Sequence, residues 1–599
     1  MHPVIKSQTR MFQQEQSLSR LTDSEAFEAY TIYSVIAGLL SYSVDPLSVH
    51  LRGDEFGLDG LAILIQGKLA TDSDEAETLL EDINDPDVEF IFFQSKTGSS
   101  YDYGDISKFF DGIEAFFNDH LYGESPQLDD LIAVKDVIYS KAVKKRNPSL
   151  RIYYASTGTY KRPPRIEALV SQRVGNLKDL SIFANDSIVV EMLGAEKLQA
   201  YYRSATRATQ ATIEFSRQVP LPKNDRVEQG YVGFISANEL VKLVDLTDEN
   251  GDSLGINRFV FFDNVRDYNE KSPLNISVGK TLEENAGRDF VFRNNGVTVI
   301  AKSIHRTADD FRIEDYQIVN GCQTTNILYQ HRDKLADVSV PFRLIGSSDD
   351  DFTASIIIGT NSQNQIKEEQ FLALRPFVKD LEEYANSVEE HLRIYIERRE
   401  HQYHRESIER ARIMPLAVLM KAASATLLKQ PNKSARDYKR LFKENANSLF
   451  NERSDVQIYH AIAYIYYRLE FLWRNQRIDN SLKIFRFYLL WAAVEEVTGS
   501  KNLLSLNKPA QCEVYARKII ELAEDEDRFK SAVIRNGLVL EQALKNLASE
   551  NREKLRDSIR SDTFFGNVKE QLFPVSPEAT QGLDVLADGS EARLHVLPR

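Results

Sequence analysis

The spacing of apolar residues in the first third of the chain predicts a mixed α/β domain. Segments with apolar residues every three to four positions predict helices, and short apolar runs between turn residues predict strands. After a polar leader, the predicted order is a helix, antiparallel strands, and then helices and strands in alternation. The acidic stretch Asp72–Asp87 is expected to be a solvated excursion from a hairpin. The predicted helices are Asp23–Leu40, Asp105–His120, Leu131–Lys144, Arg165–Val174 and Ala195–Arg207, and the predicted strands are Leu47–Leu51, Leu58–Ile65, Val88–Lys96, Leu150–Ala155 and Ile188–Leu193.

The spacing of apolar residues and turn residues changes at three later points, which predict the domain boundaries. Two prolines in Val219–Arg226 predict a linker, and strands alternate with helices from Gly230 to about Gln370. The strands predicted there are Arg258–Asp263, Gly296–Ala301 and Pro341–Ile345. Beyond about Arg375 the spacing predicts helices, including Asp455–Trp473, Leu482–Glu495, Pro509–Ala523 and Phe529–Leu547. We therefore predict an α/β domain at 1–218, a second α/β domain at 227–375, an all-helical region at 376–572 that is a candidate dimerisation surface, and a poorly ordered tail at 573–599.

Composition narrows the class of protein. The net charge of -15 argues against a protein that coats nucleic acid by bulk charge, so a nucleic-acid site must be a local basic surface. The two cysteines, Cys322 and Cys512, lie in different regions, which excludes a disulfide framework or a thiolate zinc site. No long uncharged apolar run and no apolar signal core occur, so we expect a cytoplasmic protein without membrane contact.

The main candidate site combines a glycine-flanked aspartate with a Gln-x-Lys at the end of an apolar strand. Residues two apart on a strand point to one face, so Gln94 and Lys96 share a side. The preceding hairpin strand is expected to bring Asp59 to the same spot, and Glu28 on the first helix is the candidate second carboxylate. Carboxylate and amide oxygens are ligands for Mg²⁺, and a nearby lysine stabilises developing charge or positions water. The set predicts metal-dependent hydrolysis of a phosphodiester.

These residues resemble the PD-(D/E)xK nuclease superfamily in its Mrr-like restriction variant. The matches are Phe27-Glu28 on a helix, Asp59-Gly60 in a hairpin, and Gln94-Ser95-Lys96 in place of Glu-x-Lys. The resemblance covers roughly residues 20–120 and implies a restriction-endonuclease-like mixed sheet. It also implies a DNA endonuclease that depends on Mg²⁺ or Mn²⁺. The interval from Asp59 to Gln94, 94 − 59 = 35 residues, is a departure that the acidic stretch accounts for.

A second group of polar motifs lies in the middle of the chain. Amides and hydroxyls beside glycine, directly after apolar strands, either contact phosphate and base edges or hold helix caps and turns. The motifs FRNNG (292–296), VNGCQT (319–324) and TNSQN (360–364) resemble the abortive infection phage resistance (AIPR) family over about residues 230–400. That resemblance implies bacterial defence against phage, usually with a nuclease-like N-terminus. The candidate contact residues are Arg266, Asn294, Asn295, Asn320, Gln323, Thr324, Asn361 and Gln363.

Local basic clusters supply further candidates for nucleic-acid contact. Arg398 and Arg399 lie near Tyr403, whose ring is a candidate for stacking on a base. The alternative for such clusters is a solvated helix face. His401 and His404 have metal-ligand spacing, but no third ligand is evident.

Together these features predict an anti-phage endonuclease that cuts DNA with Asp59, Gln94, Glu28 and Lys96. One alternative is the same fold cutting RNA. The other is a non-catalytic module that binds nucleic acid or a partner, which Gln94 keeps open because it removes a metal-binding charge. A homodimer and a co-encoded defence protein are candidate partners.

Overall fold

The structure, a computed structural model, describes residues 2–40, 44–51, 56–80, 83, 86–121, 124–141, 147–184, 187–247, 251–261, 287–360, 372–373, 375–399, 402–403, 406–434, 438–499, 501–506, 508–546 and 557–574. The chain divides into two compact units, Met1–Leu416 and Ala417–Arg599. The first unit contains mixed sheets with helices, and the described elements of the second are helical. The predicted mixed α/β class with a helical C-terminal region is therefore confirmed, while the predicted domain boundaries stay predictions.

The first sheet has five strands in the order β2-β1-β3-β4-β5. Strand β1 is antiparallel to β2 and β3, whereas β3, β4 and β5 are parallel. The strands are β1 Gly60–Ile65, β2 Lys68–Leu69, β3 Val88–Lys96, β4 Ser149–Ser156 and β5 Ile188–Leu193. The helices of this region are α1 Pro3–Glu15, α2 Asp23–Ile36, α3 Ser73–Leu80, α4 Tyr103–Phe117, α5 Pro126–Lys141, α6 Pro164–Asp179 and α7 Ala195–Thr206.

Helices cover both faces of this sheet, and the sequence of β3 reflects that. Phe92 packs in a core cluster with Phe109 of α4, whereas the next residue, Phe93, packs in a separate cluster with Ile32 of α2. A strand buried on both faces has a continuous apolar run instead of an alternating one. The side of the sheet that a β3 residue faces therefore decides whether it meets α4 or α2.

Several elements here were predicted well and others were wrong. The bounds of β3 and β5 are those predicted. The expected polar leader is helix α1, which buries Ile5 and Phe12 because these residues lie seven positions apart on one helix face. The acidic stretch contains helix α3, with Ala76 and Leu80 in the core, so it is not simply a solvated excursion. In place of the first predicted strand, a 3-10 helix at Pro46–Ser48 precedes a bridge between His50 and Gly60.

The second sheet has six strands in the order β6-β12-β11-β13-β8-β7, all antiparallel except for β11 and β13. Strands β9 and β10 form a separate pair. The predicted strand Arg258–Asp263 is instead a 3-10 helix at Arg258–Val260, and residues 262 and 263 lie outside the described residues. The strands are β6 Gln210–Glu214, β7 Arg217–Pro220, β8 Gln229–Ser236, β9 Asp245–Thr247, β10 Ser253–Ile256, β11 Val297–Thr307, β12 Asp310–Asn320 and β13 Ser339–Gly346. The helices are α8 Ala237–Lys242, α9 Phe290–Arg293, α10 Cys322–Gln330, α11 Asp350–Thr360 and α12 Pro376–Ser387.

A segment near the C-terminal end of the first unit contacts the N-terminal helices. It lies between β14 (Tyr395–Glu397) and β15 (Ile413–Pro415), which pair with each other. Arg410 donates a 2.9 Å hydrogen bond to the hydroxyl of Tyr33 on α2. Gln16, just after α1, donates to the carbonyl of Ile408 over 3.0 Å and accepts from the Arg410 backbone N–H over 2.8 Å. These contacts join sequence positions nearly four hundred residues apart.

The second unit is built on a long apolar helix, Val456–Arg474, which packs against Pro509–Glu524. Among the described helices of the chain, none is long and apolar enough to cross a membrane. The helices are α13 Leu416–Leu427, α14 Pro431–Ser434, α15 Tyr438–Leu449, α16 Val456–Arg474, α17 Arg486–Thr498, α18 Pro509–Glu524, α19 Glu526–Lys545 and α20 Asp562–Leu572.

Candidate active site

Asp59 lies beside the C-terminal end of β3, immediately before β1. Its backbone N–H donates to the carbonyl of Phe93 over 2.9 Å, which extends the β1–β3 ladder to this residue. Its side chain is held as well, because the backbone N–H of Ser95 donates to Oδ2 over 2.5 Å. A short charge-assisted bond of this kind fixes the carboxylate and leaves Oδ1 facing Gln94. The predicted meeting of Asp59 with the end of β3 is therefore present, although Asp59 is only 8% exposed.

The amide of Gln94 has one orientation that satisfies both of its polar atoms. In that orientation its nitrogen donates to the carbonyl of Gly57 over 2.6 Å, and its oxygen accepts from Lys96 Nζ over 3.3 Å. The opposite orientation gives only a 3.5 Å bond from the nitrogen to Asp59 Oδ1. Amide orientation is assigned from the hydrogen bonds made, so we adopt the first. The Gln94 oxygen then lies 3.5 Å from Asp59 Oδ1, and two oxygen ligands face each other.

A glycine-bearing turn packs against the Gln94 side chain. Gly57 has a φ of +70°, and a Cβ there would lie 3.0 Å from the Gln94 amide and 3.4 Å from the backbone of Phe109 on α4. A side chain at this position would be both strained and crowded. The turn before Asp59 therefore packs directly against Gln94 and α4.

Lys96 completes the group that the sequence predicted. Its Nζ lies near the Gln94 oxygen and 3.9 Å from Oδ1 of Asp105, in the first turn of α4. Both side chains of this ion pair are partly exposed, so the amine is accessible to solvent. Asp59, Gln94 and Lys96 thus converge at one edge of the sheet, as predicted.

Glu28 is not brought into this group. Its polar contacts are with Ser24, over 3.1 Å, and with Nε2 of the buried His50, over 2.8 Å. Helix α2, which carries Glu28, covers the opposite face of the sheet: a Cβ on Gly60 would meet Ile32 of α2 at 2.7 Å. Since neighbouring strand residues face opposite sides, Asp59 points away from α2. The prediction that Glu28 shares a cation with Asp59 thus has no contact in its favour, and no sequence motif marked His50 as its partner.

Residues at the end of β4 hold the loop that follows Lys96, and the sequence patterns did not reveal them. The Oγ1 of Thr157 donates to the carbonyl of Thr97 over 3.0 Å, and its N–H donates to the carbonyl of Gly98 over 3.0 Å. The Oγ of Ser156 also donates to the Gly98 carbonyl, over 3.0 Å. The C-terminal ends of parallel strands share one edge of a sheet, and ligands bind there in open α/β sheets. That rule, applied to β3 and β4, is the signal that points to Ser156 and Thr157.

The chemistry of Asp59 and Gln94 fits a hard divalent cation. Such ions take oxygen ligands, and Mg²⁺ commonly uses one or two protein groups and keeps several waters. Mg–O distances of about 2.1 Å place neighbouring octahedral ligands about 3.0 Å apart, so the two oxygens, now 3.5 Å apart, have to move slightly closer to bind one ion. Within the described part of the chain, no group of three His, Cys, Asp and Glu side chains is arranged to bind a metal. A cation at Asp59 and Gln94 would therefore rely on water or phosphate for its other ligands.

The middle motifs meet each other at one end of the second sheet. The Nδ2 of Asn294 donates to Oγ1 of Thr324 over 2.8 Å, and its Oδ1 accepts from the N–H of Gly296 over 2.7 Å. Gly296 and Gly321 have φ values of +88° and +85°, and a Cβ on Gly321 would lie 2.7 Å from the Gly296 carbonyl. Gly321 also precedes α10 as its N-terminal cap residue, so Asn320 and Thr324 do not open that helix. FRNNG and VNGCQT thus pack against each other, and we call this cluster the motif junction.

The family model for "AIPR protein" matches residues 261–556. This part of the chain is therefore similar to the AIPR family, whose name abbreviates abortive infection phage resistance. No curated protein and no solved structure matches the chain. We refer to residues 261–556 as the AIPR region; it includes the motif junction but neither Asp59 nor Gln94.

Other predicted contact residues of the AIPR region differ in their exposure. Asn295 and Gln323 are exposed, and Asn320 is half-buried at the end of β12. The Arg398 side chain is only 5% exposed and pairs with Glu382 and Asp351, which argues against a phosphate contact. Arg399 also pairs with Asp351, with 2.7 Å between its Nη1 and Oδ1 of Asp351. The remaining candidates lie outside the described residues: Arg266, Asn361, Gln363, His401 and His404.

Proposed function

We propose that this AIPR-family chain is a defence protein whose N-terminal α/β region hydrolyses DNA phosphodiester bonds with Mg²⁺ or Mn²⁺. One observation carries the proposal: a carboxylate oxygen of Asp59 and the amide oxygen of Gln94 face each other at 3.5 Å, with the Lys96 amine 3.3 Å from the amide oxygen. Burying a carboxylate and an amide beside an amine carries a desolvation penalty, so such a group at a sheet edge is typical of a functional site.

Each residue has a distinct role in this proposal. Asp59 and Gln94 hold the cation, and the Ser95 N–H orients the Asp59 carboxylate through its bond to Oδ2. The bound cation supplies charge neutralisation on the phosphate and a water that ionises near neutral pH. Lys96, which is partly exposed, contacts the scissile phosphate or the attacking water and stabilises the charge that develops there. Asp105, 3.9 Å from the Lys96 amine, forms a weak ion pair with it.

The AIPR region is proposed to sense the trigger or bind nucleic acid. The segment between β14 and β15 connects the AIPR region to the first sheet, because Arg410 donates a hydrogen bond to Tyr33 on α2, and α2 packs against β3. We propose that a change in the AIPR region is transmitted to the first sheet through these contacts.

The test is a supercoiled-plasmid assay on purified full-length protein, with Mg²⁺, with Mn²⁺, and with EDTA. Lys96→Ala is compared with Lys161→Ala, an exposed lysine of the same region. We expect metal-dependent nicking or linearisation that falls by about 10²-fold or more in Lys96→Ala and is unchanged in Lys161→Ala. Labelled RNA of matched sequence, run in parallel, separates DNA from RNA cleavage.

Two outcomes contradict the proposal. If Lys96→Ala cleaves at the wild-type rate, cleavage takes place at another site. Absence of cleavage of both DNA and RNA by the wild-type protein, together with no Mn²⁺ binding in calorimetry, favours a non-catalytic module.

A further inference from the structure

Tyr154 is a buried tyrosine of β4 that stands directly beside Gln94. The two residues are paired in the parallel register of β3 and β4, so their side chains leave the same face of the sheet. Tyr154 is 1% exposed, and its ring packs near Phe109 of α4 and Tyr101, with ring centroids 6.3 Å and 5.9 Å away. Its ring therefore lies beside Gln94 and against Phe109 of α4 and Tyr101.

The hydroxyl of Tyr154 has no hydrogen-bond partner. Among the described residues, it is the one fully buried tyrosine hydroxyl that lacks a hydrogen-bond partner. Two half-buried tyrosines that pack against the same core cluster do have partners: Tyr139 donates to the carbonyl of Ile182 over 3.3 Å, and Tyr101 donates to that of Leu193 over 3.0 Å. An unmade hydrogen bond in a buried place is unfavourable, and phenylalanine would fill this position without that penalty. We therefore expect the Tyr154 hydroxyl to have a hydrogen-bond acceptor that is not part of the protein.

The surroundings of this hydroxyl are acidic. Burial raises the pKa of Tyr154, and the negative charges of Asp105, Asp102 and Asp59 raise it further. The phenol therefore stays protonated and acts as a hydrogen-bond donor. A buried donor without an acceptor, in a region that also contains these carboxylates, is suited to a cation and the oxygen ligands around it.

We infer that the Tyr154 hydroxyl is a further residue of this site, which donates a hydrogen bond to an oxygen bound to the divalent cation held by Asp59 and Gln94. That oxygen belongs to a water or to the phosphate of the substrate, and the bond orients its lone pairs. The inference rests on the proposed function for its cleavage readout, but cation binding alone also tests it.

The experiment compares Tyr154→Phe with a matched control, Tyr139→Phe, in the full-length protein. Both changes remove one hydroxyl and keep a ring against the same core cluster. Three quantities are measured: the apparent Tm without metal, the Kd for Mn²⁺ from MnCl₂ titration calorimetry, and the single-turnover rate of plasmid cleavage. Tyr139→Phe loses a bond within the protein, so its Tm falls while its Kd and cleavage rate stay at wild-type values.

For Tyr154→Phe we expect a Tm equal to or above that of the wild-type protein and cleavage slower by about 10- to 100-fold. A Kd for Mn²⁺ weakened by about 3- to 10-fold identifies the acceptor as a cation-bound water. An unchanged Kd with slower cleavage identifies it as a phosphate oxygen. A cleavage rate and a Kd both within twofold of the wild-type values overturn the inference. A lowered Tm also overturns it, because the hydroxyl would then bond within the protein.

Failure of the proposed function is recognised separately. If the wild-type protein binds Mn²⁺ but does not cut DNA or RNA, the proposed function fails, and the Kd of Tyr154→Phe alone decides the inference. If the wild-type protein neither binds Mn²⁺ nor cuts, both fail together.

Discussion

Each of the two large sheets in the first unit has a group of polar side chains at one end, and the two groups differ in how fully their hydrogen bonds are made. In the motif junction, Asn294 makes two bonds of 2.8 Å and 2.7 Å, and Thr325 closes the start of α10 through a 2.9 Å bond to Gly321. At the edge of the first sheet, Lys96 is held by contacts of 3.3 Å and 3.9 Å, and the buried hydroxyl of Tyr154 has no acceptor.

This difference separates two uses of polar residues that look alike in a sequence. A fully bonded cluster fixes the backbone and offers little to a ligand, because its donors and acceptors are already used. The edge of the first sheet also contains short bonds, at Asp59 and Gln94, but its buried Tyr154 hydroxyl has no acceptor and retains bonding capacity for something outside the protein. We therefore expect substitutions in the motif junction to act on stability, and substitutions at the edge of the first sheet to act on activity.

The largest effect is expected from Asp59→Asn. The asparagine can still accept the Ser95 N–H, so the fold should persist, but one negative charge at the cation is lost. Single-turnover cleavage should fall by about 10³-fold, and Mn²⁺ binding in calorimetry should be lost. If Asp59→Asn keeps both the cleavage rate and Mn²⁺ binding, the edge of the first sheet is not the active site.

Gly321→Ala should have the next largest effect, on stability alone. The φ of +85° costs alanine about 1–2 kcal/mol, and the close approach to Gly296 and Val297 adds about as much again. Chemical denaturation should show a loss of about 3 kcal/mol. Gly175→Ala, in helix α6 with nothing within 4 Å of the added Cβ, is the control and should be neutral or stabilising.

Asn294→Ala sharpens the same contrast by removing two hydrogen bonds at once. We expect the free energy of unfolding to fall by about 2 kcal/mol, because the Thr324 hydroxyl and the Gly296 N–H both lose this partner. Its neighbour Asn295 is exposed, so Asn295→Ala should leave stability unchanged. A reduced cleavage rate in Asn295→Ala with normal stability would instead give the AIPR region a contact role.

The smallest effect is expected from Asp105→Asn. The ion pair with Lys96 spans 3.9 Å between partly exposed groups, so it contributes at most about 1 kcal/mol. Cleavage should slow by no more than about fivefold, and the difference from wild type should shrink as salt is added. Asp111→Asn on the same helix, whose partner is Arg173, is the control. A much larger loss would mean that Asp105 itself binds the cation.

Much of the first sheet followed from local sequence. The bounds of β3 and the shared side of Gln94 and Lys96 come from an apolar run and from the two-residue period of a strand. The N-terminal helix α1 escaped prediction because its buried residues are few and widely spaced among polar ones, so its stability depends on packing against the rest of the unit. Residues 73–80 were judged by their acidic charge, although Ala76 and Leu80 form a buried helix face.

The candidate site divides in the same way. The sequence identified Asp59, Gln94 and Lys96 as a group, because a turn, a strand end and their order along the chain suffice for that. It misplaced Glu28, whose position depends on which face of the sheet α2 covers, and no local pattern encodes that choice. It also missed Tyr154, which reads as one more core aromatic until the register of β3 with β4 places it beside Gln94.

By itself, the amino-acid sequence determined the residue types, the strand on which Gln94 and Lys96 lie, and the glycines that permit left-handed turns, because each depends on only a few consecutive residues. Only the tertiary structure decided the pairing of Asp59 with the end of β3, the orientation of the Gln94 amide and the lack of a partner for the Tyr154 hydroxyl. Those features depend on strand register and on hydrogen bonds between segments many residues apart, which are set by the packing of the whole unit.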